Sequence, residues 1–225
     1  MILVWHHIGK KPKGENTVSL KTFKKQLQSI RQTDCTVVPL SRYNPADKHQ
    51  LVLRFDDGFA DLLSAVPVLK SYGFPFEIFI VGDWFGTQGY IGPADVPYLL
   101  SNGGRLQWHG KTHTDLTLCS HLETELEVPP SIYKYDTQGF HAVAYPYWKT
   151  NAAVEQIAKK YFKYGCSGNG FSQTGMFSLD GIKMQENSSL IQTQNGIKLE
   201  IPPHKTQTVF LPNYLTKLFN LTKRR

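Results

Sequence analysis

Two adjacent carboxylates, Asp56 and Asp57, follow directly after a predicted strand. Residues 51–55 are Leu-Val-Leu-Arg-Phe, a mostly apolar run with the length of a buried strand, and Gly58 comes after the two acids. By itself an Asp-Asp-Gly tripeptide is more often a turn or a helix cap than a catalytic site. The chemical alternative is a pair in which one carboxylate binds a metal ion and the other takes a proton from water.

Two histidines follow a second predicted strand at a spacing suited to metal binding. His109 and His113 come after the strand predicted at 105–108, and they would share one face if the segment were helical. One helix can offer two imidazoles to one metal ion at this spacing, although surface histidines fall at it by chance about as often. A third predicted strand, 141–144, ends in Tyr145-Pro146-Tyr147, where the proline fixes the chain as it leaves the sheet.

An alternation of strands and helices predicts how these segments are positioned. Apolar patterns indicate strands at 2–5, 36–40, 51–55, 76–81, 105–108, 141–144 and 162–166, and helices that begin after Ser19, cover 60–72, end at 97–102 and cover 151–161. Such alternation is typical of parallel βαβ units. We therefore predict an α/β fold, a distorted (β/α)7-type TIM-like barrel, with a doubly wound open sheet as the competing architecture. The barrel is assigned to 1–205 as a single domain, and a basic amphipathic tail to 206–225.

The barrel is preferred because the polar motifs follow several different strands. In a parallel barrel the carboxyl ends of the strands gather on one face. Two imidazoles and one carboxylate would there form a three-ligand zinc site with an open position for water. The remaining carboxylate would then be the general base.

The motifs resemble those of the polysaccharide deacetylases with a NodB homology domain, over roughly residues 1–185. The segment 54–58, Arg-Phe-Asp-Asp-Gly, is similar to the family's first motif, Thr-Phe-Asp-Asp-Gly, and 109–113 followed by Asp115-Leu116 is similar to the second. The segment 144–148, Ala-Tyr-Pro-Tyr-Trp, is similar to the third motif, Arg-x-Pro-Tyr-Gly. The opening segment 4–8 resembles that of a permuted branch in which the catalytic acid histidine comes from the first strand.

The resemblance implies a function and a role for each of these residues. The function is hydrolysis of N-acetyl groups on an amino-sugar-containing glycan or a glycolipid or polysaccharide precursor. The cofactor is one divalent metal ion, Zn²⁺ in the first place, with Co²⁺, Ni²⁺ or Fe²⁺ as alternatives. The implied metal ligands are Asp57, His109 and His113, the general base is Asp56, the backbone N–H of Tyr147 binds the oxyanion, and His6 is the catalytic acid.

The third motif departs from the family pattern, which keeps two other functions open. Ala144 stands where that motif has arginine, and the sequence has no counterpart of the Asp-Trp motif that supports it. Arg54, in place of the family's threonine, lies two residues before Asp56 on the same strand face, so we expect its charge to hold Asp56 ionised. The alternatives are a catalytically impaired carbohydrate-binding relative and a metal-dependent amidase acting on a small non-sugar substrate.

Composition and charge argue against several other classes of protein. The chain has 225 residues, 40% hydrophobic and 19% charged, which is typical of globular proteins, and its apolar runs are far below the ~20 residues of a membrane span. The net charge of +7 is concentrated at the two ends, a pattern that argues against nucleic acid as a partner. Three widely spaced cysteines and no basic, apolar leader favour a cytoplasmic protein. The tail either packs on its own domain or makes peripheral contact with an anionic inner membrane surface.

Overall fold

The computed structural model describes residues 1–9, 16–168, 175–193 and 196–200. The predicted tail, 206–225, lies outside the described residues, as do 201–205 of the predicted barrel domain. Within the described ranges, none of the helices has the length and apolar character needed to cross a bilayer.

Twelve strands and six α-helices follow one another along the described residues. The strands are β1 Ile2–Trp5, β2 His7–Gly9, β3 Thr17–Ser19, β4 Thr36–Val37, β5 Gln50–Phe55, β6 Phe76–Ile80, β7 Gly104–Trp108, β8 Ala142–Ala144, β9 Tyr164–Ser167, β10 Leu179–Lys183, β11 Ser189–Thr193 and β12 Gly196–Glu200. The helices are α1 Leu20–Arg31, α2 Val66–Tyr72, α3 Val96–Ser101, α4 Leu122–Leu126, α5 Pro130–Tyr133 and α6 Ala152–Tyr161. Short 3-10 helices lie at Leu40–Arg42, Ala60–Ser64, Gly82–Trp84, Leu116–Leu118 and Pro146–Trp148.

Seven parallel strands close into a barrel, which confirms the predicted fold class. The ring runs β1, β5, β6, β7, β8, β9, β10 and back to β1. The ring is uneven, because β6 and β7 pair along five residues whereas β7 and β8 pair only at Trp108 and Val143. The short strand β4 adds to the beginning of β5. The pairs β2–β3 and β11–β12 stand outside the ring.

Strand alternation divides the core into two apolar layers. Leu3 and Trp5 of β1 pack outward against the helices, whereas Ile2 and Val4 belong to a smaller cluster inside the barrel. Each fully buried aliphatic side chain of this kind contributes roughly 1.5–3 kcal/mol to stability. The same alternation directs Arg54 and Asp56 toward the interior at the carboxyl end of β5.

Two helix starts agree with the predictions and one predicted helix is interrupted. The side chain of Ser19 caps α1 by accepting a hydrogen bond from Thr22 N, and Asn151 caps α6 in the same way. The helix predicted over 60–72 is divided into a 3-10 segment and α2. Pro67 explains the division, because it has no N–H to continue a helical ladder and is favoured in a first turn.

Candidate metal and catalytic site

The chain turns sharply at the end of β5, where the two carboxylates lie. Asp57 and Gly58 both adopt left-handed backbone conformations, with φ of 69° and 71°. Such a conformation costs a non-glycine residue of the order of 1–3 kcal/mol and concentrates at functional sites. At Gly58 a Cβ would also lie 3.2 Å from Ile80 Cγ2, so glycine suits this turn on both counts.

The two histidines converge through a loop, not along a helix. Residues 109–113 have no helical conformation, so the shared helix face considered from the sequence is not formed. Gly110, with φ of 82°, and His113, with φ of 61°, turn the chain instead. As a result both Nε2 atoms, of His109 and of His113, lie 3.3 Å from Asp57 Oδ1.

Glu125, which the sequence did not single out, anchors this loop. Its carboxylate accepts hydrogen bonds from Thr112 N and Thr112 Oγ1, each at 2.9 Å, and its carbonyl accepts one from Lys111 N. Glu125 lies in a stretch of acidic residues on α4 whose pattern resembles an ordinary solvated face. No sequence signal distinguishes Glu125, because its role depends on burial against a loop that it meets only in the folded chain.

The donor atoms of Asp57, His109 and His113 fit a divalent cation. Zn–N and Zn–O bonds of ordinary length in a tetrahedron place neighbouring donor atoms about 3.3 Å apart, the separation found here. His109 Nδ1 lies 2.7 Å from Ala144 O, a contact that requires the N–H on Nδ1 and leaves the Nε2 lone pair facing Asp57. Asp57 Oδ1 is buried without a hydrogen-bond partner among the described residues. Lone pairs that face one another across 3.3 Å repel each other, and a metal cation between them would remove this repulsion.

Electrostatics within the cluster keep the carboxylate charged. Burial by itself would raise the pKa of Asp57, but His109 and His113 beside it hold that pKa well below its usual range. Burial likewise opposes a charge on His109, and the neighbouring Asp57 and Asp56 nevertheless raise the pKa of its imidazole. An ionised Asp57 is the form in which a carboxylate binds a metal ion.

Arg54 holds Asp56 through two short hydrogen bonds. Nε and Nη2 of Arg54 donate to the two oxygens of Asp56 at 2.6 and 2.7 Å, and both side chains are 1% exposed. The guanidinium lies 4.9 Å from the centre of the Phe79 ring and 5.7 Å from that of Trp148. Burial would lower the pKa of Arg54, but Asp56 raises it overall, so the guanidinium keeps its charge. The placement expected from the strand alternation is therefore present.

His6 and Tyr147 lie at the edge of the same site. His6 is partly buried at the end of β1, and burial lowers its pKa against the opposing charges of Asp56 and Asp57. Tyr147 adopts a left-handed conformation with φ of 56°, and its ring centre is 4.9 Å from that of His113. The backbone N–H groups of Trp148 and Lys149 donate the hydrogen bonds that close the turn around Tyr147.

A row of aromatic rings extends from His113 along one side of the site. Trp84 stacks on His113 at 5.1 Å, Tyr90 lies 5.0 Å from Trp84, and Phe59 stacks on Tyr90 at 5.2 Å. His7, the neighbour of His6, ends the row by stacking on Phe59 at 3.6 Å. His7 Nδ1 also lies 2.8 Å from Asp61 Oδ2, a structural contact.

Comparison with known proteins identifies relatives of the chain. The curated Bacillus subtilis (strain 168) protein named "Putative polysaccharide deacetylase YxkH" is 24% identical over 203 residues, which are 84% of this chain and 72% of that protein. The structure of Streptococcus pyogenes deacetylase PplD in complex with acetate superposes with a TM-score of 0.75 at 24% identity, over 84% of this chain and 93% of PplD.

The structure of BC0361, a polysaccharide deacetylase from Bacillus cereus, gives the same TM-score of 0.75 at 18% identity. The match covers 84% of this chain but 65% of BC0361, so the chain spans somewhat less than two thirds of that relative. These structural similarities concern the fold. A family model described as polysaccharide deacetylase matches residues 43–163, which are 121 of the 225 residues. The chain therefore belongs to the polysaccharide deacetylase family.

Proposed function

We propose that this protein is a metal-dependent carbohydrate N-deacetylase that removes acetyl groups from amino sugars of a glycan or of a glycolipid or polysaccharide precursor. Family membership supports deacetylation of a polysaccharide. The observation that carries the finer proposal is the cluster of Asp57, His109 and His113, with a second carboxylate, Asp56, one residue away along the chain.

Asp57, His109 and His113 would hold the divalent ion, and Asp56 would act as the general base. Bound there, such an ion polarises a carbonyl group and lowers the pKa of water from about 16 towards 7. Asp56 would take the proton of the attacking water. Each oxygen of Asp56 already accepts a hydrogen bond from Arg54, but a carboxylate oxygen has a second lone pair, so the base keeps accepting capacity while its plane is fixed.

Tyr147 and His6 are proposed for the later proton and charge movements. The Tyr147 N–H would donate to the oxyanion, where the loss of one such donor typically costs about 3 kcal/mol of transition-state stabilisation. His6 would donate a proton to the leaving amine. Burial makes protonated His6 a stronger acid, which favours this donation, and the charges of Asp56 and Asp57 support its protonated form beforehand.

The aromatic row supports a sugar as the substrate. Sugar rings present flat C–H faces, and Trp84 and Tyr90 offer ring surfaces beside His113. Two expectations about partners and location remain part of this proposal: a cytoplasmic protein without a nucleic-acid partner, and peripheral membrane contact through the 206–225 tail. Liposome sedimentation of the full chain and of a chain ending at 205 tests the tail, and equal binding would refute the membrane contact.

The function is tested by metal analysis and acetate release. Purified protein should contain one divalent ion per chain at this site, and N-acetylated glycans should release acetate. Asp56→Asn should lower the rate of acetate release about 10²–10⁴-fold with the metal retained. Asp83→Asn is the matched control, because Asp83 is a nearby exposed carboxylate paired with Lys111, and we expect its activity to match that of the original chain.

The outcomes separate the three functions considered from the sequence. Metal binding without release from any acetylated substrate would favour a carbohydrate-binding relative. Release from small amides but from no glycan would favour an amidase. Release that survives Asp56→Asn unchanged would refute the assignment of the general base.

A further inference from the structure

We propose a second metal site, formed by Asp34, Cys35 and His49, at the end of the barrel opposite the catalytic cluster. One donor atom from each of the three residues lies within 4.8 Å of the other two. His49 Nδ1 lies 3.1 Å from Asp34 Oδ2, and Cys35 Sγ lies 3.9 Å from Asp34 Oδ1. The site would take a soft or borderline divalent cation such as Zn²⁺.

The two segments that carry these residues are held in register by the sheet. Cys35 directly precedes β4 and His49 directly precedes β5, and these strands pair in parallel with Thr36 opposite Gln50. Thr36 N donates to the carbonyl of His49 at 2.7 Å, which continues the pairing one step toward the proposed ligands. Residues at matching positions of adjacent strands carry their side chains on the same face. Cys35 and His49 are therefore neighbours because of the fold and not by a chance encounter of loops.

The turns on either side are built by side-chain hydrogen bonds. Thr33 Oγ1 donates to Ile30 O at 2.7 Å and accepts from Cys35 N at 3.3 Å, which fixes the exit from α1. His49 N donates to Asp47 Oδ1 at 2.9 Å. The backbone that presents the three donors is thus ordered before any ion binds, so binding costs mainly the ordering of side chains.

The donor separations are close to those of a tetrahedral zinc site. Ordinary bond lengths place neighbouring N and O donors about 3.3 Å apart and S and O donors about 3.6 Å apart. The measured separations are 3.1 Å from His49 Nδ1 to Asp34 Oδ2 and 3.9 Å from Cys35 Sγ to the other oxygen, Asp34 Oδ1. With one donor atom of each residue within 4.8 Å of the other two, side-chain rotation would bring a single Asp34 oxygen, the imidazole and the sulfur around one ion. A thiolate and a carboxylate would neutralise the charge of the ion, and the fourth position would be open to water because Asp34 and His49 are more than half exposed.

The two sites are distinct by position and by chemistry. His49 lies before β5 and Asp57 after it, and six strand residues at about 3.3 Å each separate them by about 20 Å. The catalytic cluster contains no sulfur ligand, whereas the second site does. A cation at the second site would connect the α1–β4 turn to the start of β5 and so stabilise the base of the barrel.

Cobalt reports on this site separately from the catalytic one. Metal-free full-length protein is titrated with Co²⁺ and followed by absorption, because cobalt bound to a thiolate gives an intense near-ultraviolet charge-transfer band that nitrogen and oxygen ligands do not give. We expect two equivalents to bind, with this band assigned to one of them. Zn²⁺ should then abolish the band by displacing cobalt. Absence of the band would overturn the proposal.

Matched variants assign the band to its ligands. Cys35→Ala should abolish the band and leave one equivalent bound, whereas Cys119→Ala, at another partly exposed cysteine, should keep both. A band that survives Cys35→Ala would refute the site. His109→Ala/His113→Ala should lose the other equivalent and keep the band, so failure of the catalytic site and failure of this site are distinguishable. In the presence of a metal chelator, Cys35→Ala should unfold at the same temperature as the original chain, which would show that the substitution leaves the fold intact.

Discussion

Replacing Arg54 tests whether a buried ion pair both stabilises the barrel and positions the proposed base. Arg54→Met leaves the Asp56 carboxylate without its two hydrogen bonds at a position that is 1% exposed. Removing one partner of a buried pair typically costs about 3–5 kcal/mol, so we expect a loss of that size in the free energy of unfolding. Arg54→Lys keeps the charge but not the two-pronged geometry. It should cost about 1.5–3 kcal/mol, the value of one hydrogen bond to a charged group.

Activity should fall for a reason separate from stability. Arg54 touches neither the substrate nor the ion in the proposed mechanism and is a positioning residue that fixes the plane of Asp56. We therefore expect Arg54→Lys to lower kcat about 10-fold or more, with KM nearly unchanged, since substrate contacts are intact. A residue that only stabilised the fold would leave kcat per folded molecule unchanged.

A double variant separates an unpaired charge from lost packing. Arg54→Met/Asp56→Asn removes both charges together, so its free energy of unfolding should be closer to that of the original chain than the sum of the two single losses predicts. Activity should not return, because the base is absent. Urea-induced unfolding and acetate release from an N-acetylated glycan provide the two measurements.

Arg105→Met is the control for the general effect of removing an arginine side chain from a barrel strand. Arg105 is half-buried on β7, and its Nη1 donates to the carbonyl of Gly104. Arg105→Met should therefore cost at most about 1 kcal/mol. The reasoning is refuted if Arg54→Met is no more destabilising than Arg105→Met, or if the two single losses simply add in the double variant.

Three further substitutions or modifications test other parts of the structure. Glu186→Gln should lower the free energy of unfolding by about 1 kcal/mol at pH 7. Burial opposes the charge of Glu186, but hydrogen bonds from Ser19 and Thr22 hold its pKa below the ordinary 4.5, so the carboxylate stabilises the fold above that pH and this contribution is lost as the pH falls. Unfolding measured at pH 7 and pH 3 should therefore show the pH-dependent loss in the original chain and not in the variant. Gly181→Ala should cost about 1–3 kcal/mol in chemical denaturation, because its Cβ would lie 2.6 Å from Val4 Cγ2; an unchanged midpoint would contradict this packing. Burial raises the pKa of Cys166 to about 12, so iodoacetamide at pH 8 should alkylate partly exposed Cys119 but not Cys166 in folded protein, and equal labelling by mass spectrometry would be inconsistent with the buried position.

Local patterns predicted most of the barrel, and the elements they missed depend on distant partners. Ile2–Trp5 agrees with the predicted strand because a short apolar run before a polar segment suffices to indicate it. Strand β10, Leu179–Lys183, was not predicted although it closes the ring against β1. Asp180 and Gly181 weaken its apolar pattern, and its pairing partner lies at the other end of the sequence. Strand β4 is shorter than predicted because Pro39, two residues after its end, has no N–H to continue the pairing and leads into a 3-10 helix.

The residues of the candidate site were predictable, but the way they converge was not. The spacing of His109 and His113 suggested that they share one face of a helix. In the structure a loop brings them together instead, through left-handed backbone conformations at Gly110 and His113. Backbone conformations of this kind in a non-glycine residue depend on surrounding contacts such as those of Glu125, which no local pattern reports. By contrast, the contact of Arg54 with Asp56 followed from strand alternation alone, because residues two apart share a face.

The position of Arg54 also explains how the barrel accommodates the departure at Ala144. The interior of a small barrel is filled by side chains, so a guanidinium beside Asp56 requires small residues around it. Ala144 and Cys166 belong to the interior cluster, and a Cβ at Gly181 would lie 3.3 Å from Arg54 Nη1. An arginine at both 54 and 144 would compete for this volume and would place two like charges beside one carboxylate. Arg54 on β5 and Ala144 on β8 therefore depend on each other: Arg54 supplies the positive charge beside Asp56, and the small side chain of Ala144 leaves the volume that the guanidinium occupies.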